Sequence, residues 1–411
     1  MMQRLPLVVY LVWLLLGCGG RTGLESGPRV DPHALDPDVC IELPPAEPPR
    51  FVDVAFTARI ETADVLMLVD TTSSMSTTLL TIQDSLRDDL IPSLLANVPD
   101  VRVGIASFQD YDRPHSRIYP FRLHQRMTTD LEDLQRAVNE FELRSGLDGP
   151  EAQVEALYQA ATGAGHPGYV PRAHCPRDTV GYPCFRQSGA RVILLFTDAY
   201  FHAGPGGAGP YQAGSITPPP ATYGEAVEAL NAIGAKVLGF FAGGAESAGA
   251  MEDLRGVARD THTITSEGEP IVFDIGPGAR GLREGVADSV QRLVEQVPIN
   301  VDLLLEPLSA EVDASVFVSR VQALAASPAD GALIEADAFR AVRPGTRLRF
   351  RLQFENDSIP RLAEPQRFYL RVVLQGDGIT RLKETTVEVL VPSIDGVGCE
   401  AEGLETGPIA L

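Results

Sequence analysis

Apolar residues in the first half of the chain gather into short unbroken runs. Val65-Leu66-Met67-Leu68-Val69 is one, closed by Asp70, and similar runs lie at Val101 to Phe108, Val192 to Phe196 and Val237 to Phe241. A strand buried on both faces has no wet side, so its sequence loses the period-two alternation. Between the runs, polar and apolar positions alternate at helical spacing near 76–96, 130–142, 151–162, 223–233, 247–258 and 280–296. Strands that alternate with helices imply right-handed crossovers. The expected fold over residues 51–297 is therefore α/β, with a doubly wound, mainly parallel, Rossmann-like sheet.

Beyond Pro298 the rhythm shortens. Val301 to Leu305, Arg347 to Phe354, Phe368 to Leu374 and Thr385 to Val391 read as strands, and Arg347 to Phe354 alternates polar and apolar residues. That alternation marks a sheet with one wet face. Arg343-Pro344-Gly345 and Gly376-Asp377-Gly378 supply turns. Residues 298–397 are expected to form a smaller antiparallel β-sandwich of hybrid or Ig-like type, with 398–411 as a tail.

The amino-terminal pattern differs from both. Arg4 precedes an apolar run from Leu5 to Leu16, short for a membrane span and of signal-peptide length, and the run ends at Gly17-Cys18. This resembles the lipobox of bacterial lipoproteins, which implies that residues 1–17 are a signal peptide and that Cys18 is acylated. Gly19 is not the acidic residue that some bacteria use for inner-membrane retention, which favours the outer membrane. Residues 18–50, with prolines at 28, 32, 37, 44, 45, 48 and 49, read as a Pro/Gly-rich stalk. Beyond Cys18 an even number of cysteines remains: Cys40, Cys175, Cys184 and Cys399. An exported chain would pair them, and of three connectivities the proximity of Cys175 to Cys184 favours a short ring, leaving Cys40 for Cys399.

Charge narrows the partners. With 34 basic and 55 acidic residues the formal net charge is −21, and Lys236 and Lys383 are the only lysines. A chain without a basic cluster lacks the counterion-releasing surface that nucleic acid requires.

The candidate chemistry begins at Asp70-Thr71-Thr72-Ser73-Ser74-Met75, directly after the first buried run. In an open parallel sheet, ligands bind beyond the carboxyl ends of the strands. A carboxylate followed by hydroxyls at alternate positions presents oxygen donors, which select a hard cation. The same residues also suit a helix cap, and on this segment alone the two readings are even. Two more segments add weight to the cation: Thr197-Asp198 after another buried run, and Asp148-Gly149-Pro150-Glu151 before a helix.

Together these segments resemble the von Willebrand factor A family and its metal-ion-dependent adhesion site, and within it the inserted domain of integrin β subunits. The motifs are Asp-x-Thr-x-Ser-Met at 70–75, Asp-Gly-Pro-Glu at 148–151 and Phe-Thr-Asp-Ala at 196–199, with Val103 to Asp110 and Phe196 to Gly204 as further similar stretches. The resemblance implies that Asp70, Thr72, Ser74, Glu151 and Asp198 hold Mg²⁺, or Ca²⁺ or Mn²⁺. It implies a second site, for Ca²⁺, at Asp110, Asp148, Pro150 and Glu151, although Gly146 stands where that family has Asn. Thr77 and Thr78 replace the acidic residues of its third site.

The expected function is a cell-envelope lipoprotein that binds a partner protein's Asp or Glu carboxylate through the cation, in adhesion or envelope assembly. A structural envelope protein that makes its contacts through the β-sandwich is the alternative, and a metal-dependent hydrolase a third. No His-Glu-x-x-His, Gly-x-Ser-x-Gly or Walker sequence occurs, and no general base is evident, so an enzyme is not expected. His202, beside the Asp198 loop, reads as structural.

Overall fold

The structure is a computed structural model and describes residues 37–244, 247–308, 313–396, 399 and 409–410. The expected signal peptide and Cys18 lie outside the described residues. Strands β1 (Val39–Glu42) and β2 (Arg50–Thr57) come first, and β3 (Thr62–Asp70) opens a central unit. This unit continues with α1 (Ser76–Ser85), a π-helical turn at 86–90, α2 (Ile91–Asn97), β4 (Asp100–Phe108), β5 (Arg122–Thr128), α3 (Leu131–Asn139) and α4 (Gln153–Thr162). A small hairpin follows, β6 (Thr179–Val180) and β7 (Phe185–Arg186), and then β8 (Ala190–Thr197) and α5 (Tyr223–Ala232). β9 (Ala235–Phe241), α6 (Ala248–Asp260), β10 (Val272–Asp274) and α7 (Leu282–Gln296) complete the unit. The rest is strand: β11 (Ile299–Pro307), β12 (Val318–Ser327), β13 (Leu333–Glu335), β14 (Ala338–Val342), β15 (Arg347–Phe354), β16 (Gln366–Gly376), β17 (Thr380–Val391) and β18 (Ile409–Ala410).

The central sheet has the order β10-β9-β8-β3-β4-β5. Every residue of β3 from Ala63 to Asp70 is buried because both faces are covered. Val65, Met67 and Val69 pack in a core with Leu79, Ile82 and Leu134, while Leu66 and Leu68 join one with Leu157, Leu230 and Leu254.

The other two sheets are β1-β17-β16-β11-β14-β13 and β12-β15-β2-β18. Val54 and Phe56 on β2 share a core with Leu348 and Phe350 on β15 and Val372 and Val389 on β16 and β17. Phe56 stacks on Phe350 at 5.9 Å. Disulfide Cys40–Cys399 ties β1 to the chain beyond β17, and Cys175–Cys184 closes the short ring.

This architecture corrects the expected fold class. Among the described residues strand outweighs helix, 36% against 24%, and the fold is not a doubly wound parallel sheet with a smaller sandwich appended. The central sheet is mixed, since its edge strand β5 runs antiparallel to β4. The β-sheets that follow it are antiparallel apart from β1 and β18, which join them parallel. Nor does the sandwich begin at 298: β1 and β2 precede the central unit and enter the sandwich sheets, β2 pairing with β15 along its whole length. Residues 39–57 read as stalk and domain edge because Pro44, Pro45, Pro48 and Pro49 mask the alternation of Val52, Val54 and Phe56. Proline is compatible with the turn between two short strands, so its density there reports a corner and not a tether.

Candidate metal centre

Register brings the chemistry to one sheet edge. β3 and β8 are parallel neighbours with Val69 opposite Phe196, so the chain leaves the sheet at Asp70 and at Thr197-Asp198 side by side. On the other flank Asp70 lies opposite Phe108, which delivers Gln109 and Asp110 to the same edge. Parallel strands share one carboxyl end, and the loops that follow them must meet there.

Asp70 is fully buried. Its Oδ1 accepts from the Thr72 backbone N–H at 2.9 Å and from Thr72 Oγ1 at 2.7 Å. Its Oδ2 accepts from Thr197 Oγ1 at 2.7 Å. Thr72 Oγ1 is 3.3 Å from Ser74 Oγ, which donates to Asp198 Oδ1 at 2.9 Å. The residues at the start of the short 3₁₀ turn and of α1, Thr72 and Met75, make no side-chain cap bond. The hydroxyls thus turn toward the two carboxylates and not toward the helix end.

Glu151 comes from the loop before α4. Its backbone is pinned to the loop after β8, with its N–H donating to Tyr200 O at 2.8 Å and its carbonyl accepting from the His202 N–H at 3.1 Å. The side chain is buried, and Oε2 has no hydrogen-bond partner. Gly146 makes room for it: a Cβ there would lie 2.1 Å from Glu151 Oε1. Thr72, Ser74, Asp148, Glu151, Asp198 and Tyr200 line one open cavity of about 420 Å³, with Asp70 bonded beneath it.

The electrostatics follow from packing acids together without a counter-charge. Burial, then the charges of Asp70, Asp110, Asp148 and Asp198, push Glu151 up to about 10. Burial and then Asp198 push Asp70 up to about 7, and burial raises Asp198 as well. Among the described residues no Lys or Arg pairs with these three acids. A buried carboxylate stays ionised only with a compensating charge. The donor set consists of carboxylate and hydroxyl oxygens and contains one orphaned buried oxygen, so the residues fit a hard divalent cation, Mg²⁺, Ca²⁺ or Mn²⁺.

Beside this group lies a second. Asp110, Asp148 and His202 bring ligand atoms within 4.8 Å of one another. The expected set there, Asp110, Asp148, Pro150 and Glu151, consists of oxygens, and the imidazole of His202 joins it. Two supporting residues carried no signal in the sequence. Gln153 Nε2 donates to Thr197 Oγ1 at 3.0 Å and so orients the hydroxyl that faces Asp70. Tyr211, from the long Gly/Pro-rich loop at 204–220, donates to Asp110 Oδ1 at 2.5 Å. His202 was visible as a residue four positions after Asp198, but nothing in a single histidine separates ligand from scaffold.

No protein-family model matches the chain. Among solved structures it is similar to the pilus adhesin SpaC from Lactobacillus rhamnosus GG in its open conformation, at 10% identity and TM-score 0.36, over 82% of this chain and 45% of that one. A second crystal structure of that adhesin gives 10% identity and TM-score 0.35, over 84% and 46%. Proximal thread matrix protein 1 from the mussel byssus gives 13% identity and TM-score 0.33, over 58% and 49%. The chain spans less than half the length of each of these proteins.

Proposed function

We propose that the chain is an exported, surface-displayed binding module, which holds a hard divalent cation at Asp70, Thr72, Ser74, Glu151 and Asp198 and through it binds an acidic side chain of a partner protein. The observation that carries this reading is the Glu151 carboxylate, buried, without a partner on Oε2, and crowded by four other acids. Among the described residues no Lys or Arg offsets that charge, and an external cation would. Once bound, the cation supplies a positive centre at the cavity floor that an Asp or Glu of a partner can reach.

The chain's residues do the rest. Asp70 anchors the first loop by accepting from Thr72 twice, and the Thr72 and Ser74 hydroxyls stand in a row toward Asp198. Such a set presents oxygens at fixed positions without reorganisation, which favours binding over loose attraction. The resemblance to the von Willebrand factor A family supports the same ligand set on motif grounds. Two disulfides suit an oxidising compartment. Among the described residues no helix is long and apolar enough to cross a membrane, and acylation of Cys18 is the proposed means of attachment.

The test is calorimetric titration of the metal-free chain with Mg²⁺ and with Ca²⁺, alongside Asp198→Ala, followed by cross-linking on intact cells with and without EDTA. Saturable heat that Asp198→Ala abolishes, and a captured protein that chelator releases, are expected. A partner captured equally well with EDTA present would favour contacts made by the β-sandwich instead.

A further inference from the structure

We propose that a cluster of exposed arginines around β5 is a docking surface for an acidic polysaccharide, held by its repeated anionic groups and not through a cation. This goes beyond the first reading and does not require it.

Charge is unevenly placed along this acidic chain. Residues 113–129 and 156–197 hold one acid, Asp178, of the chain's 55, and eight of its arginines. Neither stretch is a basic run, so the sequence alone shows no cluster; folding makes one. The His115 N–H donates to Gly168 O at 2.9 Å, Arg126 Nη2 donates to His174 O at 2.9 Å, and the Phe121 and Tyr182 rings meet at 4.9 Å. Disulfide Cys175–Cys184 braces the second stretch, whose Pro183 carbonyl accepts from the Met127 N–H of β5 at 3.4 Å.

Arg113, Arg117, Arg122, Arg126, Arg172 and Arg177 are all exposed. Among the described residues the first five make no ion pair, whereas Arg340 and Arg351 on the sandwich pair with Asp302 and Asp53. Glu142 borders the group, but it is bonded to Arg144, which holds it low together with the charges of Arg122 and Arg117. Like charges gathered this way draw mobile anions to the surface, and a polyanion that displaces them gains their release entropy. Guanidinium offers paired donors that match carboxylate, sulfate and phosphate alike. The class of polyanion follows from an open cavity of about 400 Å³ lined by His115, His166, Tyr169 and Arg172. A ring, backbone groups and a guanidinium converge there, which suits a sugar residue bearing an acidic group. A single-stranded nucleic acid instead needs successive rings on which its bases stack. Tyr119 is buried, with the Arg122 guanidinium 3.9 Å from its ring centroid, and Tyr182 packs on Phe121, so neither serves.

The test is calorimetric titration of the full chain with heparin and with polygalacturonate, EDTA present, and with neutral dextran as control. Two double variants are compared with wild type: Arg122→Gln with Arg126→Gln, and Arg320→Gln with Arg349→Gln, the latter pair exposed on β12 and β15. At least one of the two acidic polymers should bind, dextran should not, and affinity should weaken steeply with salt. It should fall at least about tenfold in the first variant and hold in the second. Equal loss in both variants, or no binding of either polymer at low salt, overturns the proposal. A single-stranded DNA oligonucleotide bound as tightly through the same arginines, or a dimer that the first variant dissolves in sedimentation velocity, overturns the choice of a polysaccharide. Circular dichroism identifies a variant that fails to fold, in which case Arg113→Gln with Arg172→Gln decides. Asp198→Ala removes the Mg²⁺ heat of the first reading and should leave the polymer affinity unchanged, so each reading can fail alone; loss of polymer binding in Asp198→Ala overturns this one.

Discussion

Gly146→Ala is the substitution that separates cation binding from folding most cleanly. Gly146 has no positive φ, so alanine enters the backbone without strain, and the smaller freedom of the unfolded chain favours it by about 0.4–1 kcal/mol. The cost falls on a side chain. The added methyl carbon would sit 2.1 Å from Glu151 Oε1, whereas ordinary contact begins near 3.4 Å, so the carboxylate must retreat by about 1.3 Å. A Mg²⁺–oxygen bond is only about 2.0–2.1 Å long and tolerates little distortion, so a retreat of that size removes Glu151 as a ligand. Loss of one anionic ligand should weaken Mg²⁺ at least tenfold, which corresponds to about 1.4 kcal/mol. Two measurements check it together: the midpoint of thermal unfolding without metal, expected within a few degrees of wild type, and the rise in that midpoint on adding Mg²⁺, expected to shrink or vanish. A Gly146→Ala protein whose metal response equals that of wild type would refute the placement of Glu151 in the cation shell.

Four further outcomes follow from the structure. Both Asp70 and Glu151 titrate higher in the folded chain than their ordinary values of 3.8 and 4.5, so the metal-free protein holds protons that the unfolded chain has released. Its stability should therefore be greatest at low pH, fall as pH rises from about 4.5 to 7 on account of both groups, and keep falling toward 10 on account of Glu151. Denaturant midpoints measured across that range check the sign. Mg²⁺ binding at pH 7.5 should release roughly one proton, mainly from Glu151, which calorimetry in buffers of different ionisation enthalpy reads directly. Asp70→Asn should abolish detectable Mg²⁺ heat while leaving the metal-free protein at pH 8 as stable as wild type or more so, because a buried charge is gone; an unfolded Asp70→Asn protein would contradict that balance. Paired Cys175→Ser and Cys184→Ser replacement should cost about 2–3 kcal/mol by freeing a short loop, measured by chemical denaturation.

The central strands were legible because a run such as Val65 to Val69 has one physical explanation, burial on both faces, and its terminal Asp70 then marks the sheet edge. Asp198 was legible on the same ground. Neither run reveals how the sheets combine. That β2 leaves the amino-terminal segment to pair with β15, nearly 300 residues away, depends on packing between Phe56 and Phe350 that no local pattern records. Prolines that turn the chain between β1 and β2 are written like those of an extended tether. At the site, Thr72, Ser74 and Asp198 could be proposed from their spacing, whereas Tyr211 could not. It reaches Asp110 from a loop rich in Gly and Pro, whose path is fixed by contacts with Tyr111 and Ile216 and not by its own propensity.

In the proposed site, oxygens from three loops enclose one hard cation. The direct measurement is anomalous diffraction from crystals soaked in Mn²⁺, collected at the manganese absorption edge. A peak among Ser74, Glu151 and Asp198, present in wild type and absent in Asp198→Ala crystals, is the predicted result. Mn²⁺ found solely elsewhere on the molecule, or no peak at that cavity at saturating Mn²⁺, would contradict it.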